Sequence, residues 1–279
     1  MNLKLTALAM SFLALFPASA APGWELVFAD EFNKPGPPDK TAWSYESGFV
    51  RNEESQFYTT ERLENARVED GHLVIEARKE HYPRAGAGSS GAGWRGRDSA
   101  EYTSASLTTK GKHEWTYGRV EVRAKLPAGR GTWPAIWMLG TNITQVGWPA
   151  CGEIDIMEFV GFLPGVIHAN VHMQKYNHTK GTGKGDKVVL KDAPEGFHVY
   201  AMEWYPDRLD FFVDQTKYFT FKNENPPNQR NADSWPFDRP QYLILNLAIG
   251  GAWGAQKGID ESIFPARFLI DYVRVYRKK

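Results

Sequence analysis

The sequence predicts an all-β protein, a sandwich of two packed antiparallel sheets, on three observations. Many short runs alternate or stay apolar at strand length, no stretch of a dozen residues holds a 3.6 period, and turn-forming residues separate the runs. In chain order the strand signals are 72–79 (HLVIEARK), 117–126 (YGRVEVRAKL), 166–173 (VIHANVHM), 197–204 (FHVYAMEW) and 268–276 (FLIDYVRVY). Alternation is clearest where Arg119, Glu121, Arg123 and Lys125 face one way and Val120, Val122 and Ala124 the other. Residues 209–221 read as a hairpin turning at Asp214-Gln215, and 242–249 (YLILNLAI) as a strand covered on both faces. Turns fall at Pro35-Gly36-Pro37-Pro38, at 181–185 and at 223–227, and 85–93 reads as a long surface loop.

Residues 1–20 are set apart. Lys4 gives a positive start, an uncharged apolar run follows, and Ala18-Ser19-Ala20 offers a small-x-small cleavage site, the layout of a secretory signal. The run is too short for a permanent span, which needs roughly twenty residues. The expectation is therefore a secreted or periplasmic product, with 21–279 as a single catalytic β-sandwich domain. The whole chain has 33 basic and 33 acidic residues, and losing Lys4 leaves one excess acid. That balance gives no electrostatic reason for nucleic acid or an acidic membrane surface as partner, and suits a neutral polymer. Ten Trp, twelve Tyr and sixteen Phe suit sugar binding, and equally a β core. Cys151 is the only cysteine, so no intrachain disulfide forms.

The chemistry centres on 151–161, CGEIDIMEFVG. On a strand Glu153 and Asp155 share a face while Ile154 and Ile156 enter the core, and strict alternation would bury Glu158. A buried unpaired carboxylate costs several kcal/mol or protonates. One extra residue at Ile156-Met157, a β-bulge, returns Glu158 to the face of the other two acids. Two carboxyls on one face are what a retaining glycosidase requires, one as nucleophile and one as acid/base. Asp155 between them would raise the pKa of a neighbour. An acid-rich solvated face and a cation site are the competing readings. The adjacent Trp133-Pro134-Ala135-Ile136-Trp137, with His168 and His172 on the next strand, shifts the weight to catalysis.

Gly152-Glu153-Ile154-Asp155-Ile156-Met157-Glu158 resembles the bulged active-site signature of glycoside hydrolase family 16, in its laminarinase-like, endo-β-1,3-glucanase branch. The resemblance extends from Phe28-Ala29-Asp30-Glu31-Phe32, through Arg51-Asn52-Glu53 and Tyr117-Gly118-Arg119, to Asn246-Leu247-Ala248-Ile249-Gly250-Gly251 and Asp271-Tyr272-Val273-Arg274-Val275-Tyr276. It implies a concave β-jelly-roll sandwich, a retaining mechanism, Glu153 as nucleophile, Glu158 as acid/base and Asp155 as modulator. It further implies sugar contacts from Trp133 and Trp137 and from Asn52 on the non-reducing side of the cut. One departure stands out: Ser104-Ala105-Ser106 replaces the family's Ser-Gly-Arg and removes an arginine expected near the cleft.

Parity alone puts Trp133 and Trp137 on one face, and places His172 with His168 and Asn170. His172 is expected to hydrogen-bond the acid/base or the sugar, and Trp253, in a glycine-rich loop, to serve as a sugar platform. Cys151 lacks any partner that would activate a thiol. Asp271 falls by parity among Leu269, Val273 and Val275, where a bare carboxylate is costly. A structural calcium would resolve that, and the resemblance supplies Glu31, Gly71 and Asp271 as its ligands; no cofactor is expected for catalysis. The function expected is endo-hydrolysis of β-1,3-glucan by a monomer, with mixed-linkage β-1,3/1,4-glucan or a red-algal galactan as alternative substrates. A non-catalytic glucan-binding protein is the rival, against which both glutamates argue.

Overall fold

A seven-stranded sheet carries the functional face. Its strands run, edge to edge, Lys184–Val189, Val166–His172, Glu153–Glu158, Thr132–Gly140, Gln241–Ile249, Ser106–Thr108 and Ser44–Tyr45. The structure, a computed structural model, describes residues 23–84, 93–226 and 229–279. The expected secretory signal at 1–20, residues 85–92 of the expected surface loop and part of the 223–227 turn lie outside the described residues. The second sheet follows the order Thr216–Lys222, Arg208–Val213, His198–Trp204, Gly118–Lys125, Ala266–Lys278, His72–Pro83, Ser99–Ser104 and Gln56–Tyr58. Trp24–Asp30 and Ala66–Glu69 join it on Ala266–Lys278 and His72–Pro83. The ladders between these strands are antiparallel, save that Gln56–Tyr58 lies parallel to Ser99–Ser104. Each expected strand forms within a few residues of its expected bounds, and 209–221 is the expected hairpin. Among the described residues, no helix is long and apolar enough to cross a membrane.

Alternation decides what each strand buries. The functional sheet sends Ile136, Met138, Ile154, Met157, Ile167, Ala169, Leu243 and Leu245 inward, against Leu73, Ile75, Val120, Val122, Met202, Phe268 and Ile270 of the second sheet. Fully burying one such aliphatic side chain is worth roughly 1.5–3 kcal/mol. The opposite parity of the same strands forms the outer face. There Ala135, Trp137, Leu139, Cys151, Tyr242 and Ile244 make a second, smaller cluster. That cover is why Gln241–Ile249 is buried along its whole length.

The second sheet corrects one parity argument. Ala266–Lys278 shifts register against Gly118–Lys125 between Ile270 and Tyr272. Phe268 and Ile270 point inward before this bulge, and Val273 and Val275 after it. Asp271 sits at the shift and is partly exposed, so the buried carboxylate that argued for calcium does not arise. Its Oδ2 accepts a bond from Arg123 Nη1 at 2.6 Å. Both oxygens of Glu31 are held by Arg274, at 2.7 and 2.8 Å. Gly71 lies in the positive-φ turn between Ala66–Glu69 and His72–Pro83. Both Glu31 oxygens and one Asp271 oxygen are thus engaged by guanidinium groups, which would compete with a calcium ion and its six to eight oxygen ligands.

Candidate active site

The outer face of the seven-stranded sheet forms a cleft of about 1210 Å³, whose lining includes Glu153, Asp155 and Glu158. It reaches from Asp186 and Lys187 on one edge strand to Glu46 and Lys110 at the opposite edge. Six strand gaps of about 4.8 Å make it roughly 29 Å across, room for several sugar units.

The three acids share this face because the strand is bulged. Asp155 pairs with Trp137, Met157 with Ile136 and Glu158 with Ala135, so one residue is gained between Asp155 and Met157. Against the other neighbour, Glu153 lies opposite His172, Asp155 opposite Asn170 and Glu158 opposite His168. Ile154, Ile156 and Met157 are fully buried beneath. The apolar side chains anchor the strand, and the bulge re-aims the last acid.

Donors surround the outer two acids. Trp148 Nε1 donates to Glu153 Oε2 at 2.9 Å. Glu158 accepts from Trp133 Nε1 at 3.1 Å and from Asn170 Nδ2 at 2.8 Å. Asp155 is buried and its Oδ2 accepts no hydrogen bond; the nearest cationic or imidazole group is His172, whose Nε2 lies 3.3 Å away and 3.7 Å from Glu153 Oε1. No arginine or lysine makes an ion pair with any of the three acids among the described residues. Burial, reinforced by the Asp155 and Glu158 charges, therefore pushes Glu153 up to about 8 despite His172 and the Trp148 N–H. Burial and Glu158 push Asp155 well above the carboxylate range. Burial raises Glu158 as well, offset in part by the Asn170 and Trp133 donors and by His172. Three crowded carboxyls of this kind titrate as a set and keep at least one proton near neutrality.

Comparison with known proteins then fixes the relationship. The sequence model of the glycosyl hydrolases family 16 matches residues 53–274. The chain belongs to glycosyl hydrolase family 16. It is 49% identical over 272 residues to a β-glucanase of Rhodothermus marinus, covering 96% of this chain and 90% of that one. The X-ray structure of the laminarinase from that organism superposes with a TM-score of 0.81 at 49% identity, over 91% of this chain and 97% of the other. SCLam, a non-specific endo-β-1,3(4)-glucanase of the family, superposes at 0.82 with 46% identity; a mutant of it holds 1,3-β-D-cellobiosyl-glucose at its active site, and the match covers 94% of this chain and 98% of that one. These neighbours share the jelly-roll sandwich.

Within this family 16 fold, the residues singled out from the sequence gather at the cleft, except the calcium set. Trp133 faces Glu158, and Trp253 meets its ring edge-on at 5.5 Å. Trp253 lies on a one-turn helix, Gly251–Gly254, and its ring also meets His168. Trp137 is more buried, donating from Nε1 to Asn246 Oδ1 at 2.7 Å while its ring carries the Arg51 guanidinium. Asn52 is exposed at the rim with φ +54°, and its carbonyl accepts from Ala252 N. His172 lines the cleft and stands nearest Asp155 and Glu153, not Glu158; a contact from it to sugar is the other expectation. Cys151 is buried and its thiol is raised to about 11 by burial and by Glu153, which leaves it inert.

Several contributors escaped the sequence reading. Trp148 sits in the loop after the Ile143–Val146 turn of helix, and nothing in its local pattern points to Glu153. Asn170 has the right parity but earned no role; Gly185, read as a turn glycine, faces it from the edge strand. A methyl at Gly185 would lie 2.1 Å from Asn170 Oδ1 and 2.4 Å from Ala169 O, so only glycine leaves room for Asn170 to reach Glu158. The missing arginine at Ser106 also finds a counterpart. Ser106 Oγ binds Glu46 at 2.6 Å, and Glu46 pairs with Arg51.

Proposed function

We propose that this chain is a retaining endo-hydrolase of internal β-1,3-glucosidic bonds, with Glu153 as nucleophile, Glu158 as general acid/base and Asp155 as the group that sets their protonation. The observation that carries this reading is the bulged Glu153–Glu158 strand, which presents three carboxyls to an edge-to-edge cleft where, among the described residues, no arginine or lysine pairs with them. Similarity to a β-glucanase and a laminarinase of Rhodothermus marinus supports the substrate class.

In the first step protonated Glu158 gives its proton to the glycosidic oxygen while the Glu153 carboxylate attacks the anomeric carbon. The carbon–oxygen bond breaks, the leaving chain departs as an alcohol, and a glycosyl ester forms on Glu153. Water then attacks the same carbon, gives its proton to the Glu158 carboxylate and frees Glu153. Asp155 Oδ2 accepts no hydrogen bond, and burial together with the Glu158 charge favours the protonated form of this carboxyl. Neutral, it ceases to repel Glu153, whose charge the Trp148 N–H favours. Trp133 and Trp253 offer aromatic faces beside Glu158, where sugar rings on either side of the cut would stack.

Reducing-end release and product sizes from laminarin test this reading. Wild type is expected to yield short oligosaccharides early and Glu153→Gln none while remaining folded. Binding of laminarin without cutting by wild type would replace the enzyme with a glucan-binding protein. Mixed-linkage cutting is the second activity to assay, since the SCLam complex holds a sugar with both linkage types. Export rests on residues 1–20 and accords with a polymeric substrate.

A further inference from the structure

The nucleophile's surroundings have the geometry of a metal site. Glu153, Asp155 and His172 each bring one ligand atom, and the three atoms lie within 4.8 Å of one another. His172 Nε2 is 3.3 Å from Asp155 Oδ2 and 3.7 Å from Glu153 Oε1. Ligands at about 2.0–2.1 Å from a tetrahedral zinc ion stand roughly 3.3 Å apart along each edge, so the two His172 separations already match and the two carboxylates, within 4.8 Å, would close on the ion. Asp155 is 3% exposed, and its Oδ2 has no hydrogen-bond partner. All three residues lie on two paired strands, with Glu153 directly opposite His172, so the ligand atoms stand on rigid backbone.

We propose that Glu153, Asp155 and His172 form a three-ligand site for a zinc-class divalent ion, and that the ion switches the enzyme off by occupying the nucleophile. One imidazole and two carboxylates suit Zn²⁺ or Cu²⁺; Ca²⁺ wants six to eight oxygens, and Mg²⁺ a near-octahedral oxygen shell. The fourth position opens to the cleft, where Glu153 lines the wall. His172 Nδ1 makes no hydrogen bond, so the orienting partner typical of a resident zinc ligand is missing. That marks a reversible, inhibitory site in place of a permanent one. The inhibition, though not the binding, rests on Glu153 being the glucanase nucleophile: an ion on its carboxylate takes the lone pair that would form the glycosyl ester.

Calorimetric titration of the purified protein with ZnCl₂ in a non-coordinating buffer tests the site without reference to activity. One equivalent is expected to bind, with affinity at least about tenfold weaker in His172→Gln and Asp155→Asn. His81→Gln, on an exposed imidazole paired with Glu101, is expected to bind as wild type does. In laminarin kinetics cleavage is expected to fall in step with zinc occupancy of the site, while CaCl₂ has no effect. Co²⁺ added to wild type alone should show the intense visible bands of a four-coordinate ion, a readout that survives any folding failure in the variants. No binding heat at millimolar zinc, equal affinity in His172→Gln, or full laminarin activity with the site loaded by zinc overturns the proposal. Zinc binding in a protein that never cuts laminarin would remove the glucanase reading and leave the site standing.

Discussion

The two faces of this sandwich treat buried acids in opposite ways. On the second sheet Glu76 is 1% exposed, yet Arg67 and Arg267 bind it at 2.9 and 3.0 Å and Arg78 pairs with it too. The partly exposed Glu31 and Asp271 are likewise held, by Arg274 and Arg123. On the cleft face Asp155 is buried and Glu153 and Glu158 half-buried, and among the described residues the three receive only neutral indole and amide donors and one histidine. Guanidinium partners turn a buried acid into a cross-link between strands. Their absence leaves acids whose proton is loosely committed, the condition acid/base catalysis needs.

The largest effect expected from breaking this contrast is on rate. Glu153→Gln should lower reducing-end release from laminarin by on the order of 10⁴-fold or more, with unchanged circular dichroism. A smaller loss sharpens the contrast at Glu158. Asn170→Ala removes one of its two donors, and should lower kcat by roughly tenfold or less while moving the alkaline limb of the pH–rate profile upward, because the neutral acid is then favoured. An unmoved limb would mean Asn170 serves packing alone. Glu76→Gln tests the other face. It should cost about 1–3 kcal/mol in urea unfolding, discounted because the three arginines are partly exposed, and leave the activity of the folded fraction intact.

A subtler test follows from linkage. Glu153 is raised from 4.5 to about 8 in the fold, so the native state holds a proton there that the unfolded chain has released. Stability from that proton is present below about 4.5 and lost as pH rises toward 8. Glu153→Gln should therefore match wild type in Tm at acid pH and gain on it by several degrees by pH 8 to 9. A constant Tm difference across that range would show that the carboxyl is not shifted. The smallest effect concerns metal: with Glu31 and Asp271 held by arginine, EDTA should leave Tm unchanged, and a fall of several degrees would place calcium back on that face.

Strands, sheet number and the shared face of the three acids were legible because each is a local pattern. The period of two in Gly118–Lys125, the apolar run of Gln241–Ile249 and the mismatch of Glu158 with strict alternation are each contained within about ten residues. The same parity reasoning failed at Asp271, because a bulge there leaves no buried carboxylate in the pattern to betray it. His172 was placed on the right face, but which acid it would stand beside was not legible, since register across Glu153–Glu158 and Val166–His172 depends on where the bulge falls.

The sequence by itself determined the secondary structure, the face that carries the acids and the family to which the chain belongs, because binary pattern and motif act over short distances. Only the tertiary structure decided that Trp148 from a loop caps Glu153, that Gly185 on an edge strand makes room for Asn170, and which acids receive arginines. Those outcomes depend on side chains far apart in sequence meeting within about 3 Å. Hydrogen bonds and ion pairs weaken steeply with distance and angle, so the packing of the two sheets, which no local pattern encodes, sets them.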